Sequence, residues 1–364
     1  MTATATLGPI RKTSARIDGL ENPTNTFSSL LKTVREAGLL QRRRGFYMLN
    51  LAVLTIALGG LATGFVLLGD SWFQLLIAAG LGIILTQFAF VAHEASHRQI
   101  FESGPANDRL GRILADAVVG ISYAWWMTKH TRHHANPNTV GKDPDIEIDT
   151  ISFIEEDAAK AKGVLAFITR RQGYLFFPLL TFEGVNLHFR SIVTLFTTEK
   201  VDKRWLELTL IGLRLGIYVA ILFTFLPLGM AFAFLGVQMA VFGVYMGASF
   251  APNHKGMPLI QEGAKVDFLS KQVLTSRNIR GFGMSYFMGG LNYQIEHHLF
   301  PSMPRPHLKR AREIVVEHCK NLGIPYTETT LVQSYAIVID YLNRVGLSAR
   351  DPFDCPMVNQ FRRP

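Results

Sequence analysis

Cysteine is nearly absent from this sequence: Cys319 and Cys355 are the only two in 364 residues. They lie far apart in the C-terminal region, which excludes a disulfide framework and a thiolate-held cluster. Internal repeats, low-complexity tracts and a linker rich in Pro, Gly and Ser are lacking, so no separate soluble module is expected. The residues up to about Leu40 hold no long apolar run. The first such run starts near Phe46, too late for a cleaved signal peptide. Positive charge is missing from the apolar runs and the turns that join them, where Arg214 is the single one of 37 lysines and arginines.

What is present is apolar. At 48% hydrophobic residues and a mean hydropathy of +0.19, the chain has more apolar character than a soluble domain needs. Four stretches suffice to cross about 30 Å of hydrocarbon as helices: Phe46–Leu68, Trp72–Ala92, Leu208–Leu226 and Met230–Phe250. Gly69-Asp70-Ser71 closes the first pair and Pro227-Leu228-Gly229 the second, giving two hairpins. The net charge of +9 would suit nucleic acid. Its concentration in the N-terminal arm, the centre and the C-terminal region instead follows the positive-inside rule, with Arg42-Arg43-Arg44 as an orientation signal. A membrane-lipid environment and no nucleic acid are therefore expected. The predicted fold is an all-α membrane protein. It has a polar arm over 1–45, four spans, and a cytoplasmic helical cap over 93–205 and 251–364, with both termini cytoplasmic. Arg109–Met127 and Gly163–Phe189 are apolar but interrupted by charge, and are expected as amphipathic helices in the interface. Gly60-x-x-x-Gly64 and Gly243-x-x-x-Gly247 are expected to pack helices closely, against room for a lipid tail as the other explanation for both.

Most of the 11 histidines fall in three boxes on the predicted cytoplasmic side: His93-Glu-Ala-Ser-His97, His130-Thr-Arg-His133-His134 and Gln294-Ile-Glu-His297-His298. Spacings of i, i+3 and i+4 put these side chains on one arc of a helix, so each box offers convergent imidazoles. Two crossings separate the second box from the third, which returns all three to the same face. The boxes supply seven histidines, and His254, just past the fourth span, makes a plausible eighth. Eight imidazoles exceed what one zinc or one octahedral ion takes, so two metals fit better. Imidazole suits zinc, copper, iron and nickel alike. Glu94, Asp143, Asp145, Glu147 and Glu296 are candidates for supporting the ligands from behind, against solvation alone as the other explanation. His188 has no chelating neighbour and is expected to be a hydrogen-bonded interfacial histidine.

The motifs HEASH, HTRHH and QIEHH, with Trp125-Trp126, Asn136-Pro137-Asn138 and Leu299-Phe300-Pro301 around them, resemble the membrane fatty acid desaturase family over roughly Phe46 to His307. That resemblance implies a pair of irons held by His93, His97, His130, His133, His134, His254, His297 and His298, with Gln294 as a ligand or one step removed. It also implies dioxygen as co-substrate and an acyl-CoA or acyl-lipid substrate that gains a double bond. Gln294 in place of a histidine is similar to the front-end and linoleoyl-type branch. Trp125, Trp126, Gly243 and Gly247 are candidates to line the acyl slot, the tryptophans alternatively being interfacial anchors. No histidine precedes His93, and neither His307 nor His318 stands in a cytochrome b5-like context. Electrons are therefore expected from a separate donor, such as a ferredoxin, a cytochrome b5 or a flavin reductase. Lys309, Arg310 and Arg312 are either its docking site or an ordinary solvated face.

Other chemistries compete for the same residues. HEASH also matches H-E-x-x-H, in which two histidines hold zinc and the glutamate is the general base of a protease. A hydroxylase or ketolase would use the same scaffold. A histidine-lined transporter would need its histidines near the bilayer midplane, and the spans hold none. Glu94-x-x-His97 resembles half of a carboxylate di-iron bundle, which needs a second copy.

Overall fold

Four helices of the computed structural model, which describes residues 23–147 and 149–347, are long and apolar enough to cross a membrane. The chain is a multi-pass membrane protein. Helix α1 (Pro23–Glu36) precedes the first two long helices, α2 (Arg44–Leu68) and α3 (Gln74–Ser96). Next come α4 (Gly104–Arg112), a π-helical segment (Ile113–Val119), α5 (Tyr123–Ala135) and the short α6 (Glu155–Ala158). Three further pieces, α7 (Gly163–Thr169), α8 (Gln172–Leu180) and α9 (Glu183–Thr197), lead to the second long pair, α10 (Arg204–Phe225) and α11 (Leu228–His254). The remainder comprises α12 (Phe268–Leu274), β1 (Asn278–Arg280), α13 (Met284–Phe287), a 3-10 turn (Leu291–Tyr293), α14 (Gln294–Leu299), α15 (Arg305–Asn321), β2 (Glu328–Thr330) and α16 (Leu331–Leu347). The two strands pair in parallel, Ile279 opposite Thr329. The first half of the predicted polar arm (1–22) and the last part of the predicted cap (348–364), with Cys355, lie outside the described residues.

The long helices have unequal places. In α3 and α11, 44% and 39% of the most apolar stretch is buried, against 6% in α2 and 11% in α10. The central pair is thus α3 and α11, which make the most extensive helix contact of the structure. Gly82 permits their approach, since a Cβ there would lie 2.9 Å from the Gln238 carbonyl and 3.0 Å from the Phe242 nitrogen. The expected second hairpin is two adjacent helices rather than a tight pair. Helix α10 leans on the π-helical segment, where Arg214 donates to the Val118 carbonyl at 2.8 Å and Glu207 is ion-paired with Arg112.

The helices also outrun the predicted spans at the metal side. Helix α3 ends at Ser96 rather than Ala92, and α11 at His254 rather than Phe250. One extra turn lifts each beyond its apolar stretch and carries its histidine there. The C-terminus of α11 is closed by Arg277, fully buried, whose guanidinium donates to the Pro252 carbonyl at 2.9 and 2.5 Å and to that of Lys255 at 3.0 Å. These are carbonyls that a helix end leaves without internal donors.

The Arg109–Met127 expectation needs correction. Instead of one amphipathic helix with charges facing water, the segment is broken into α4, the π-helical segment and the start of α5. Arg109 at its start is exposed, but the two charges that interrupt its apolar run are buried, Arg112 against Glu207 and Asp202, and Asp116 against the backbone N–H of Tyr123. Residues 163–189 are likewise three short pieces. Their outer face exposes Phe167, Tyr174, Phe182 and Phe189, and their inner face packs on α11 and α16. Gly60 has no neighbour within 4 Å, so the first GxxxG makes no close crossing at that position. Gly243 does, since a Cβ there would collide with the backbone of Leu180 and Gly184. We expect Gly243→Ala to destabilise the protein by about 1–3 kcal/mol through this overpacking. Thermal denaturation in detergent checks it, and an unchanged midpoint would count against the crossing.

Candidate metal centre

Each box stands on a helix end that the sequence makes rigid. The first occupies the last turn of α3, with His97 just beyond it. The second lies within α5, whose first turn is tied down twice. Ser122 Oγ accepts from the Trp125 N–H at 3.1 Å, and the buried Glu207 carboxylate accepts from Ser122 Oγ at 2.5 Å and from the Ala124 N–H at 3.1 Å. The third forms α14, reached through Gly289 and Gly290 at φ +58° and +85°, where Phe90 and Arg305 crowd the backbone. Only glycine takes such a turn without strain. His254 is the last residue of α11.

The structure brings all eight predicted histidines together and divides them. His93, His97, His130, His134 and His297 form one group, and His133, His254 and His298 a second; within each, one nitrogen per ring lies within 4.8 Å of the others. His130 Nε2 is 2.9 Å from His93 Nε2 and 2.8 Å from His97 Nε2. Neutral imidazoles carry one N–H each, so three such atoms cannot all be satisfied by one another. His297 Nε2, His298 Nε2 and both nitrogens of His134 are buried without a hydrogen-bond partner. Burial pushes the pKa of His97 down to about 3 and also lowers His130, so these rings are neutral near pH 7. Converging buried ring nitrogens left without partners are what a bound cation takes up, and the residues fit a histidine-held metal pair.

In the second group the tautomer is fixed. His133 Nδ1 donates to Asp143 (3.0 Å to Oδ1), His254 Nδ1 to the Thr275 carbonyl (2.9 Å) and His298 Nδ1 to Gln272 Oε1 (2.9 Å). Each therefore turns Nε2 inward as a lone pair. Burial lowers the pKa of His133, but Asp145 and Asp143 outweigh it and hold the ring above its ordinary value. Gln294 Nε2 lies 2.9 Å from His254 Nε2, and its Oε1 accepts from Asn253, which places this side chain at the ligand atoms.

The five candidate carboxylates separate. Asp143 and Asp145 stand at His133, 3.0 and 3.3 Å from Nδ1, and Asp145 also pairs with Lys129 at 2.7 Å. Glu94 points away, and both its oxygens bind the Arg305 guanidinium while Tyr47 donates to it at 3.2 Å. Glu147 pairs with Arg132 at the exposed surface. Glu296 accepts from Asn278 (2.7 Å) and Tyr326 (2.8 Å), and burial pushes its pKa up to about 7. None of these last three hydrogen-bonds a box histidine among the described contacts.

A cavity of about 1570 Å³ touches both groups, with His130 of the first and His133 and His254 of the second in its lining together with Gln294. Trp125, Trp126 and Gly247 line it, whereas Gly243 is taken up by the contact with Gly184. Trp126 also stacks on the His130 ring, centroids 4.9 Å apart at 22°. His188 is apart from the histidine groups, its ring held between the Gly184 carbonyl (2.7 Å) and the Val119 carbonyl (3.3 Å). Arg310 and Arg312 are occupied by Glu313 and Glu328. Sequence reasoning missed Gln272, Thr275, Tyr47 and Arg305. All four meet the boxes or His254 only through the fold, and none has a spacing that could have marked it.

A family model described as fatty acid desaturase matches residues 70–330. Similar proteins include a Delta(8)-fatty-acid desaturase of Helianthus annuus, 27% identical over 347 residues covering 89% of this chain and 74% of that protein. A Delta(6)-fatty-acid desaturase of Caenorhabditis elegans is 27% identical over 337 residues, 88% of this chain and 75% of the other. An acyl-lipid (9-3)-desaturase of Physcomitrium patens is 30% identical over 288 residues, 75% of this chain and 54% of the other.

Removing the acceptor behind a ligating histidine commonly weakens metal binding by about 10–100-fold. We expect Asp143→Ala to lower the metal retained per chain after mild chelation, whereas Glu147→Ala leaves it unchanged. Equal retention in the two variants would deny Asp143 its part.

Proposed function

The chain belongs to the fatty acid desaturase family and is an oxidoreductase of lipid metabolism, and on that premise we propose that it inserts a cis double bond into a long-chain acyl substrate, acyl-CoA or acyl-lipid, at a histidine-held pair of irons. The observation that carries this reading is the division of eight imidazoles into groups of five and three beside a large cavity that mixes apolar and charged walls. When bound, the irons with dioxygen supply the oxidising power that unactivated methylenes require, which no side chain offers. The protein's part is position. Asp143, Thr275 and Gln272 fix the inward-facing nitrogens of His133, His254 and His298, and Gln294 sits against His254. Trp126 stacks on His130 at the cavity wall and keeps bulk water from that side of the rings. The excess of basic residues outside the spans supports placing the site and both termini in the cytoplasm.

A zinc protease is a poor fit to this geometry, because both oxygens of Glu94 are committed to Arg305 and none faces the histidines. A transporter fits no better, since the rings gather at the helix ends rather than at mid-span.

Expression in a host that lacks polyunsaturated lipids, followed by mass spectrometry of its acyl chains, tests the activity. New double bonds are expected, and a hydroxylated product alone would overturn the proposal. Purified protein is expected to hold close to two irons per chain. His254→Ala should lose metal and nearly all product, while His188→Ala keeps both. A His254→Ala protein with two irons and normal turnover would remove His254 from the ligand set.

Electrons are proposed to come from a separate carrier. The isolated chain should therefore be inactive with NADH and acyl substrate, and become active when a reductase and carrier protein are added. Turnover with NADH alone would contradict this.

A further inference from the structure

Between β1 and α14 the chain reads Gly281-Phe-Gly-Met-Ser-Tyr-Phe287, and no charged residue occurs from Gly281 to Ile295. By sequence this loop falls in the water-facing cap. Its side chains do not suit water, since Phe282 is 104% exposed, Tyr286 71% and Phe287 42%. Exposed aromatics this close in sequence make a continuous apolar patch of the kind that marks an interaction surface.

The contacts of the loop indicate what covers it. Gln87 Nε2 donates to the Tyr286 carbonyl at 3.2 Å, and Tyr245 Oη donates to the Phe287 carbonyl at 2.6 Å. The Phe287 and Tyr245 rings stack with centroids 4.9 Å apart. Gln87 lies five residues inside the predicted end of the second span, and Tyr245 five inside that of the fourth. At 1.5 Å per residue both are about 7–8 Å within the apolar zone. On the same helix as Gln87, Ile83 is an exposed apolar residue of the lipid-facing surface. The carbonyls of the loop from Gly283 to Phe287 all accept hydrogen bonds, which favours a place in lipid. The Gly283 carbonyl accepts from Tyr286 and Phe287, that of Met284 from Met288, and that of Ser285 from Gly290. Arg280, exposed at the end of β1, is the flanking cation that can reach a headgroup.

We propose that residues 281–287 insert into the hydrocarbon of the bilayer beside α3 and α11, a membrane contact in addition to the four spans whose partner is the lipid itself. Box three begins seven residues further on, at Gln294. The insertion thereby sets the height of α14, and with it His297 and His298, relative to the membrane.

Spin-label accessibility tests this on the full chain. In a Cys319→Ala/Cys355→Ala background, Phe282→Cys carries a nitroxide and the protein is placed in phosphatidylcholine vesicles. Collision with dissolved oxygen is expected to exceed collision with a water-soluble nickel chelate severalfold, as for a label at Ile83→Cys. A label at Lys309→Cys on the cap should show the reverse. A Phe282 label that behaves like the Lys309 label overturns the proposal. So does one shielded from both reagents, which would point to a protein partner or a second copy. Tyr286→Cys gives the same reading should the first variant fold poorly, with retained metal as the check on folding.

Discussion

The arrangement of this protein depends on one unfavourable act, the turning of eight imidazoles toward one another out of water. A buried ring nitrogen without a partner costs free energy, and here several are left so. Protons cannot relieve the crowding, because burial and neighbouring rings drive the pKa values of most of them down. A pair of cations can. Much of the fold is then understandable as the frame that holds the rings in place. Helices α3 and α11 make the most extensive helix contact, and each continues one turn beyond its apolar stretch, which carries His93 and His254 to the two histidine groups.

That frame is built largely of buried charge used structurally. Arg305 ties Glu94 of the first box to the segment following the third, and Tyr47 bridges Glu94, Gln99 and the Arg305 backbone. Arg277 closes the end of α11 next to His254, and Glu207 holds the start of α5 before His130. Breaking one partner from such a pair costs about 3–5 kcal/mol, because a lone buried charge remains. The two histidine groups differ in how far this support extends. The group of three has an acceptor behind every ring, whereas Nδ1 of His93 and of His134 in the group of five has none.

The four spans were legible because 20-residue apolar runs have one common use, and the boxes because helical periodicity confines i, i+3 and i+4 to one arc. That His254 would join the other rings was legible from its position just past the fourth span together with the family resemblance. The supports were less so. Asp143 and Asp145 follow the second box within a dozen residues, and Asp143 meets His133 through a tight turn. Glu94 and Glu296 sit inside boxes yet serve other partners, which charge and proximity in sequence could not show. Gln272 and Arg305 reach the boxes across long chain separations, so only the fold could supply them. The π-helical segment was missed because Arg112 and Asp116 look like surface residues until Glu207, 95 positions after Arg112, is placed beside them.

The fate of Glu94 shows why a short motif underdetermines chemistry. Successive residues on a helix are about 100° apart, so when His93 and His97 face a metal, Glu94 between them must point well to one side. In an H-E-x-x-H protease that side is the water-filled cleft where a base is wanted. Here Tyr47, from the preceding span, and Arg305, after the third box, occupy it, and the carboxylate serves as the anchor between them. The same five residues therefore give a different site because of what the chain packs against their flank. Three boxes returning to one face, rather than any single box, carry the functional meaning.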